Sequence, residues 1–186
     1  SRYKAPAARL VAIPVGIPTE ESPVQADAPE RVRSMLGLED QPMILSLGHV
    51  IPLRDRLALV EALPGILRQV PDAVVVVVGD VNYHAFLDRA DELGVRDHII
   101  CTGAVPRSHI GEYLAAAEVE VHDLQGLGLG TASLEAMFAE VPVVAAVRHD
   151  NFPGIELQSG ENITLTPLDD PTALAARGVT VARLIE

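Results

Sequence analysis

Residues 73–80 read Ala-Val-Val-Val-Val-Val-Gly-Asp, an unbroken valine run closed by a glycine and an aspartate. β-Branched side chains favour extended backbone, and a strand without polar alternation is buried on both of its faces. The run is therefore typical of a central parallel strand covered by helices. Because ligands of such sheets bind beyond the carboxyl ends of the strands, Gly79 and Asp80 mark the edge where a functional site is expected.

Short apolar runs and amphipathic stretches alternate along the rest of the chain. Besides residues 73–78, strands are predicted at residues 10–15, 43–47, 98–101, 119–122, 141–146 and 163–166. Helices are predicted at residues 29–35, 54–69, 83–92, 107–116, 132–139 and 171–185. This alternation predicts βαβ units with right-handed crossovers, and hence an α/β, Rossmann-like fold with a doubly wound parallel sheet. Pro29 and Pro171 suit first helical turns, and Gly37 and Gly94 suit helix ends.

Composition excludes several classes of partner. The 186 residues suffice for one α/β domain, and their net charge is −12. Binding to nucleic acid or to an anionic membrane surface needs clustered Lys and Arg, so neither is expected for this chain. A local phosphate site is still compatible with an acidic chain, because backbone amides and one or two cations can form it.

Cysteine and histidine usage gives no sign of a disulfide framework or a metal site. Cys101 is the only cysteine, and it is expected in the core. A reducing, cytoplasmic setting is the default for such a chain, and no stretch is long enough to span a bilayer. Four histidines lack metal-ligand spacing and are expected at the surface or in caps: His84, His98, His109 and His149.

The segment with the strongest chemical signal is residues 126–137, Gly-Leu-Gly-Leu-Gly-Thr-Ala-Ser-Leu-Glu-Ala-Met, between a predicted strand and a predicted helix. Glycines let the backbone approach a ligand, and the N–H groups of the first helical turn attract an anion. The alternative is a turn that merely joins strand to helix. The spacing differs from the dinucleotide fingerprint. Glu135 is either an acceptor for vicinal hydroxyls or a carboxylate that the helix dipole stabilises.

A second polar strand end lies at residues 48–56, Gly-His-Val-Ile-Pro-Leu-Arg-Asp-Arg. His49 and Arg54 could both reach an anion at the sheet edge. The alternative is that Arg54 and Arg56 are solvated charges in the first turn of a helix, and this alternative is favoured for Arg56. No GxSxG elbow or Ser-His-Asp order indicates a hydrolase.

The order of these motifs resembles one known domain. A GH-x4-R strand end is followed by a VVGD turn, a CTGAV segment and a GLG-x4-E-A-M block with PVV after it. This arrangement resembles the C-terminal domain of retaining GT-B-fold glycosyltransferases of family 4. The likeness runs from residues 11–16 to residues 169–171. It implies that residues 1–186 are a nucleotide-sugar-binding domain, one half of a GT-B fold, and that the N-terminal acceptor domain of the same parent protein is absent from this chain.

The resemblance implies a role for each polar strand end. His49 and Arg54 stand where the family has an arginine and a lysine that clamp the donor diphosphate and stabilise the leaving group. Glu135 matches the second glutamate of the family's E-x7-E signature, which implies a contact to ribose hydroxyls. The remaining implied diphosphate contacts are Gly48, Gly128, Gly130 and Thr131. The nucleobase loop matches residues 102–106, with main-chain contacts at Gly103 and Val105.

Two positions depart from the family pattern. Leu127 replaces the first glutamate of E-x7-E, and leucine cannot accept hydrogen bonds from a sugar, so Asp123 and Gln125 are the candidate sugar contacts. His49 replaces a permanent, bidentate cation by a side chain that is neutral much of the time near pH 7. Phosphate recognition is therefore expected to be retained better than sugar recognition.

The implied reaction is a metal-independent transfer of a sugar from a nucleotide-diphosphate sugar to an acceptor, with retention of configuration and no cofactor. The chain alone is expected to have no transferase activity, because the acceptor site belongs to the other domain. One alternative is a nucleotide-sugar epimerase of similar shape. Another is a non-catalytic module that binds a nucleotide sugar. The base, the sugar, the acceptor and the oligomeric state are left open.

Overall fold

A computed structural model describes residues 16–17, 24–54, 56–121, 124–126, 128–147 and 156–183. Its main sheet has four parallel strands in the order β3-β2-β1-β4. They are β1 (Met43–Leu47), β2 (Val74–Val78), β3 (Ile99–Gly103) and β4 (Val119–Glu120). The valine strand β2 thus lies inside the sheet between two parallel neighbours, as its sequence predicts.

Two further strands extend the sheet beyond β4. The strands β5 (Val144–Ala145) and β6 (Thr164–Leu165) pair in parallel, and a parallel bridge joins Glu120 to Val143. The resulting strand sequence 3-2-1-4-5-6 is that of a doubly wound Rossmann-like fold. The predicted strand at residues 10–15 lies outside the described residues.

Among the described residues there are six α-helices, of which four connect strands and two lie before β1 and after β6. They are α1 (Ala28–Leu36), α2 (Leu57–Leu67), α3 (Ala85–Glu92), α4 (Ile110–Ala115), α5 (Thr131–Phe138) and α6 (Pro171–Arg183). Gly37 ends α1 in the left-handed conformation at φ 71°, and Gly94 has φ 67° just after α3, as expected for helix ends. The segment predicted as helix from residue 107 starts instead with a 3-10 turn, Arg107–His109.

The helix predicted from residue 54 starts later, at Leu57. Arg54 belongs to a tight turn, in which Arg54 N–H donates to Ile51 C=O at 2.8 Å. Arg56 has a left-handed backbone (φ 60°) and is the residue that caps α2. Such a conformation interrupts a right-handed helix, so the helical pattern of the sequence could not extend back to Arg54.

Apolar side chains cover both faces of the sheet. Val75 and Val77 of β2 point into a core shared with α2, α3 and α6, whereas Val74, Val76 and Val78 point into a core shared with α1, α4 and α5. Every residue of β1 and β2 is buried. Alternation of side chains along an extended strand explains why one valine run serves two cores.

Helices α2 and α6 pack in close contact. A Cβ built on Gly65 of α2 would lie 2.9 Å from the Cβ of Ala175 in α6, which is closer than Cβ atoms approach in folded proteins. Gly65 therefore lets the two helices approach. Leu63 of α2 and Leu174 of α6 are buried in the same core.

The substitution Leu63→Ala tests this packing. Leu63 is fully buried, so its truncation is expected to lower the free energy of unfolding by about 2–5 kcal/mol through lost burial and a cavity. The matched control is Met35→Ala on the outer face of α1, where the side chain is 64% exposed and the change is expected to stay within about 0.5 kcal/mol. Urea unfolding measures both, and equal effects would contradict the burial of Leu63 between α2, α6 and the sheet.

Candidate functional site

The carboxyl ends of β1, β2 and β3 continue to bond to one another beyond the strands. Gly48 N–H donates to Val78 C=O at 2.8 Å, and Gly79 N–H donates to Gly103 C=O at 2.9 Å. Three connections that sequence reasoning placed at one edge, at residues 48–49, 79–80 and 102–103, are therefore in direct contact. Backbone hydrogen bonds therefore hold the three connections together at this edge.

Gly79 makes this contact sterically feasible. Its φ is 143°, and a Cβ at this position would lie 2.6 Å from the carbonyl carbon of Gly48. Such a separation is far inside van der Waals contact, so only glycine fits at residue 79. The turn after β1 is consequently held against the end of β2.

Asp80 links His49 to the predicted nucleobase loop. Its backbone N–H donates to His49 Nδ1 at 3.0 Å, and its Oδ1 accepts a hydrogen bond from Ala104 N–H at 3.1 Å. The His49 side chain is 58% exposed. The imidazole is therefore fixed through one nitrogen and is open to solvent, which suits a group that meets a ligand.

The two arginines of this connection have different environments. Arg54 is exposed, which agrees with both interpretations of it, an anion-binding cation and a solvated charge. Arg56 is only 1% exposed: its Nε donates to Ser46 Oγ at 2.9 Å and its Nη1 donates to Arg54 C=O at 2.9 Å. The interpretation of Arg56 as a solvated charge is wrong. With its left-handed backbone, Arg56 packs its side chain against the inner side of residues 48–54. There it bonds to Arg54 C=O and lies next to Gly48.

The connection from β4 to α5 contains the glycine segment. Gly126 and Gly128 have positive φ angles of 67° and 112°, and Gly126 N–H donates to Ala146 C=O at 2.8 Å. The helix α5 begins at Thr131, with Gly130 as its cap and no side-chain hydrogen bond at that cap. Thr131 is exposed. The first-turn N–H groups of a helix have no acceptor within the helix, so this end can meet an anion.

Glu135 lies one turn into α5 and forms an ion pair that its position in the sequence did not indicate. Its Oε1 accepts a hydrogen bond from Arg107 Nη2 at 2.8 Å. The Glu135 side chain is 10% exposed, whereas that of Arg107 is 60% exposed. Arg107 directly follows the predicted nucleobase loop, so the ion pair joins that loop to the helix that would contact ribose. In the sequence, the ion pair is indicated only by the position of Arg107 directly after the predicted nucleobase loop.

A buried carboxylate lies beneath the start of α5. Glu120 of β4 is fully buried, and its Oε2 accepts a hydrogen bond from Ser133 Oγ at 3.1 Å. Glu120 and Ser133 therefore anchor the first turn of α5 to the sheet edge.

The connection after β3 forms the predicted nucleobase loop. Gly103 has φ 72°, and Val105 is partly buried against the core on the α5 side of the sheet. Cys101, expected in the core, is partly buried against the core on the opposite side of the sheet, which includes α2 and α3, and burial raises the pKa of its thiol. The loop thus has an apolar support and main-chain groups at the edge.

All described residues that sequence reasoning assigned to a site lie at this carboxyl edge. After β1 lie Gly48, His49 and Arg54; Gly103 ends β3 and Val105 follows it; after β4 lie Gln125, Gly128 and Gly130, followed by Thr131 and Glu135 in the first turns of α5. Asp123, Leu127 and His149 lie outside the described residues. The sequence did not indicate that Arg56 is buried against the connection after β1 or that Arg107 pairs with Glu135. It indicated a turn at Asp80 but no function for this residue.

Two further properties bear on the kind of site. Within the part of the chain that the structure describes, no three His, Cys, Asp or Glu side chains are grouped so that they could hold a metal ion. Among the same residues, no helix has both the length and the apolar character needed to cross a bilayer.

Together, these features define an α/β domain with the type of sheet edge at which nucleotides bind. Residues 41–183 match the family model described as glycosyl transferases group 1. The chain belongs to this family.

Curated relatives extend beyond the matched region. A protein of Mycolicibacterium smegmatis named GDP-mannose-dependent alpha-(1-6)-phosphatidylinositol monomannoside mannosyltransferase is 35% identical over 148 residues, which are 75% of this chain and 39% of the relative. The chain therefore spans about two-fifths of the length of this relative.

Solved structures of glycosyltransferases share the fold. Anabaena HepE in complex with UDP and glucose has a TM-score of 0.70 and 21% identity, covering 88% of this chain and 44% of that one. The C-terminal domain of a glycosyl transferase group 1 family protein from Francisella tularensis has a TM-score of 0.61 and 18% identity, covering 88% of this chain and 93% of that one. The fold is that of the Rossmann-like domains of GT-B glycosyltransferases, as expected from the sequence.

The substitution Gly79→Ala tests the contact at the sheet edge. Its methyl group would meet Gly48 backbone, so the free energy of unfolding is expected to fall by about 3 kcal/mol or more. The matched control is Gly94→Ala, where φ is also positive but nothing lies within 4 Å of the added Cβ, and where only backbone strain of about 1 kcal/mol is expected. Thermal or urea unfolding measures both, and similar losses would show that the edge is not closely packed.

Proposed function

We propose that this chain is the donor-binding, C-terminal domain of a retaining family 4 glycosyltransferase, which takes a sugar from a nucleotide-diphosphate sugar. The observation that carries the proposal is the convergence of two anion-facing groups at one edge: the exposed His49 and Arg54 after β1, and the start of α5 after β4. The acceptor would bind to the N-terminal domain of the same parent protein.

In the proposed reaction, this chain positions the donor and stabilises the departing diphosphate. Charge develops on the diphosphate as the bond to the sugar breaks, and a preorganised cation and N–H groups lower the barrier most where that charge appears. Arg54 supplies the permanent charge. His49 and the amides of Gly130 and Thr131 supply hydrogen bonds. This set of donors needs no metal ion and no cofactor, so we propose a metal-independent transfer.

Glu135 would bind the ribose hydroxyls. A carboxylate accepts hydrogen bonds from vicinal hydroxyls, and Arg107 orients that of Glu135 through one oxygen. The nucleobase would lie against the loop at Gly103 and Val105. Because the mycobacterial relative is named a GDP-mannose-dependent mannosyltransferase, we propose GDP-mannose as the donor. A cytoplasmic setting is part of the proposal, since the partly buried Cys101 needs no oxidising compartment.

Calorimetry of the chain with GDP, UDP and ADP tests the donor site. GDP is expected to bind most tightly. Arg54→Ala removes a charged donor and Glu135→Ala removes an acceptor, so each is expected to weaken GDP binding about tenfold or more. The controls Arg68→Ala and Glu39→Ala remove exposed charges on connections at the opposite end of the sheet. Failure of all three diphosphates to bind, or equal losses in the controls, would overturn the proposal.

A turnover assay tests the assignment of roles to two domains. The 186-residue chain, mixed with GDP-mannose and a candidate acceptor, is expected to release no GDP above the rate without protein, because the acceptor is bound elsewhere. The parent protein is expected to turn over under the same conditions. Multiple turnovers by the chain alone would show that its own residues complete the active site.

A further inference from the structure

Asp80 occupies the centre of the sheet edge and contacts both neighbouring connections. Its backbone N–H donates to His49 Nδ1 at 3.0 Å, and its Oδ1 accepts from Ala104 N–H at 3.1 Å. Its C=O accepts from Val50 N–H at 3.0 Å. One residue thus bonds to the connection that carries the proposed diphosphate clamp and to the proposed nucleobase loop.

The hydrogen bond to His49 determines which ring nitrogen carries the proton. A backbone N–H can only donate, so Nδ1 must offer its lone pair. The proton of the neutral ring is then on Nε2. This nitrogen can donate to a ligand at the exposed side of the edge, because the side chain is 58% exposed. His49 is therefore oriented to donate through Nε2.

The backbone gives Asp80 little freedom to move away from His49. Gly79 lies against Gly48 so closely that a Cβ at residue 79 would be 2.6 Å from its carbonyl carbon. Gly48 N–H also donates to Val78 C=O at 2.8 Å. The backbone N–H that bonds to His49 Nδ1 is thus held in place by the main chain that follows β1 and β2.

We propose that Asp80 is a positioning residue of the donor site, which fixes His49 as a donor through Nε2 and holds the nucleobase loop at Ala104. The inference rests on the proposed function, because it places His49 at the diphosphate and the loop at the base. The second carboxylate oxygen of Asp80, Oδ2, lies 3.7 Å from His49 Nδ1, farther than the backbone N–H that bonds to this nitrogen at 3.0 Å. What the site uses is the N–H group and one acceptor oxygen.

The proton position is tested by two amide substitutions. In His49→Gln the amide nitrogen reaches about as far as Nε2, whereas in His49→Asn it reaches only about as far as Nδ1. We expect His49→Gln to keep GDP affinity within about threefold of the wild type and His49→Asn to lose about tenfold, measured by calorimetry. Equal losses, which a required cation would produce, or a better-binding His49→Asn variant would overturn the proposal.

The link to the nucleobase loop is tested by Asp80→Ala and Asp80→Asn. Asp80→Ala keeps the N–H group and removes the acceptor for Ala104, so GDP binding is expected to weaken about fivefold while binding of inorganic pyrophosphate stays within about twofold. Asp80→Asn keeps the acceptor oxygen and is expected to restore GDP affinity. An Asp80→Asn variant as weak as Asp80→Ala, or equal losses for GDP and pyrophosphate, would overturn this role.

The wild-type protein separates this inference from the proposed function. If wild-type protein binds no nucleoside diphosphate, the proposed function itself fails. If GDP binds and Arg54→Ala weakens it, but the His49 and Asp80 variants do not follow the expected pattern, only the positioning role of Asp80 fails.

Discussion

The contact of Gly79 with Gly48 is the constraint on which the candidate site depends. Parallel strands by themselves bring their carboxyl ends to one edge, but the connections that follow are free to diverge. Here a glycine at the end of β2 lets the backbone after β1 approach to a separation that no side chain would allow. Hydrogen bonds from Gly48 to β2 and from Gly79 to Gly103 then fix three connections as one layer. The backbone of these three connections therefore sets the positions of the side chains that would face a ligand.

The polar groups of the edge fall into a buried set and an exposed set. Arg56 and Glu120 are buried and hold the backbone beneath the site, through Ser46 and Ser133. Exposed groups such as His49 and Arg107 are oriented by neighbours that the main chain or a second helix provides. A site built in this way is largely preformed, so a bound anion would lose less free energy to ordering side chains.

The sequence predicted the architecture because its signals are local. An apolar run such as that of β2 and the glycine at residue 37 report on the backbone at their own positions, and the structure confirms both. Arg56 shows where local reading fails. In the sequence it is a charged residue at a helix start, and only its left-handed backbone, set by the tight turn before it, directs the guanidinium inward. The pairs Asp80–Ala104 and Arg107–Glu135 join residues far apart in the chain, so no spacing rule could have indicated them.

The packing of α6 on α2 has a consequence for folding. The apolar face of α2, which includes Leu63 and Gly65, is covered by residues of the last described helix, such as Leu174 and Ala175. During synthesis, this face remains uncovered until residues 171–183 have left the ribosome, after every described strand of the sheet has been made. Closing so long a loop costs chain entropy and slows the final step. The nascent chain therefore exposes the apolar face of α2 from the synthesis of residues 57–67 until that of residues 171–183, and a chaperone that binds apolar surfaces would protect this face during that interval.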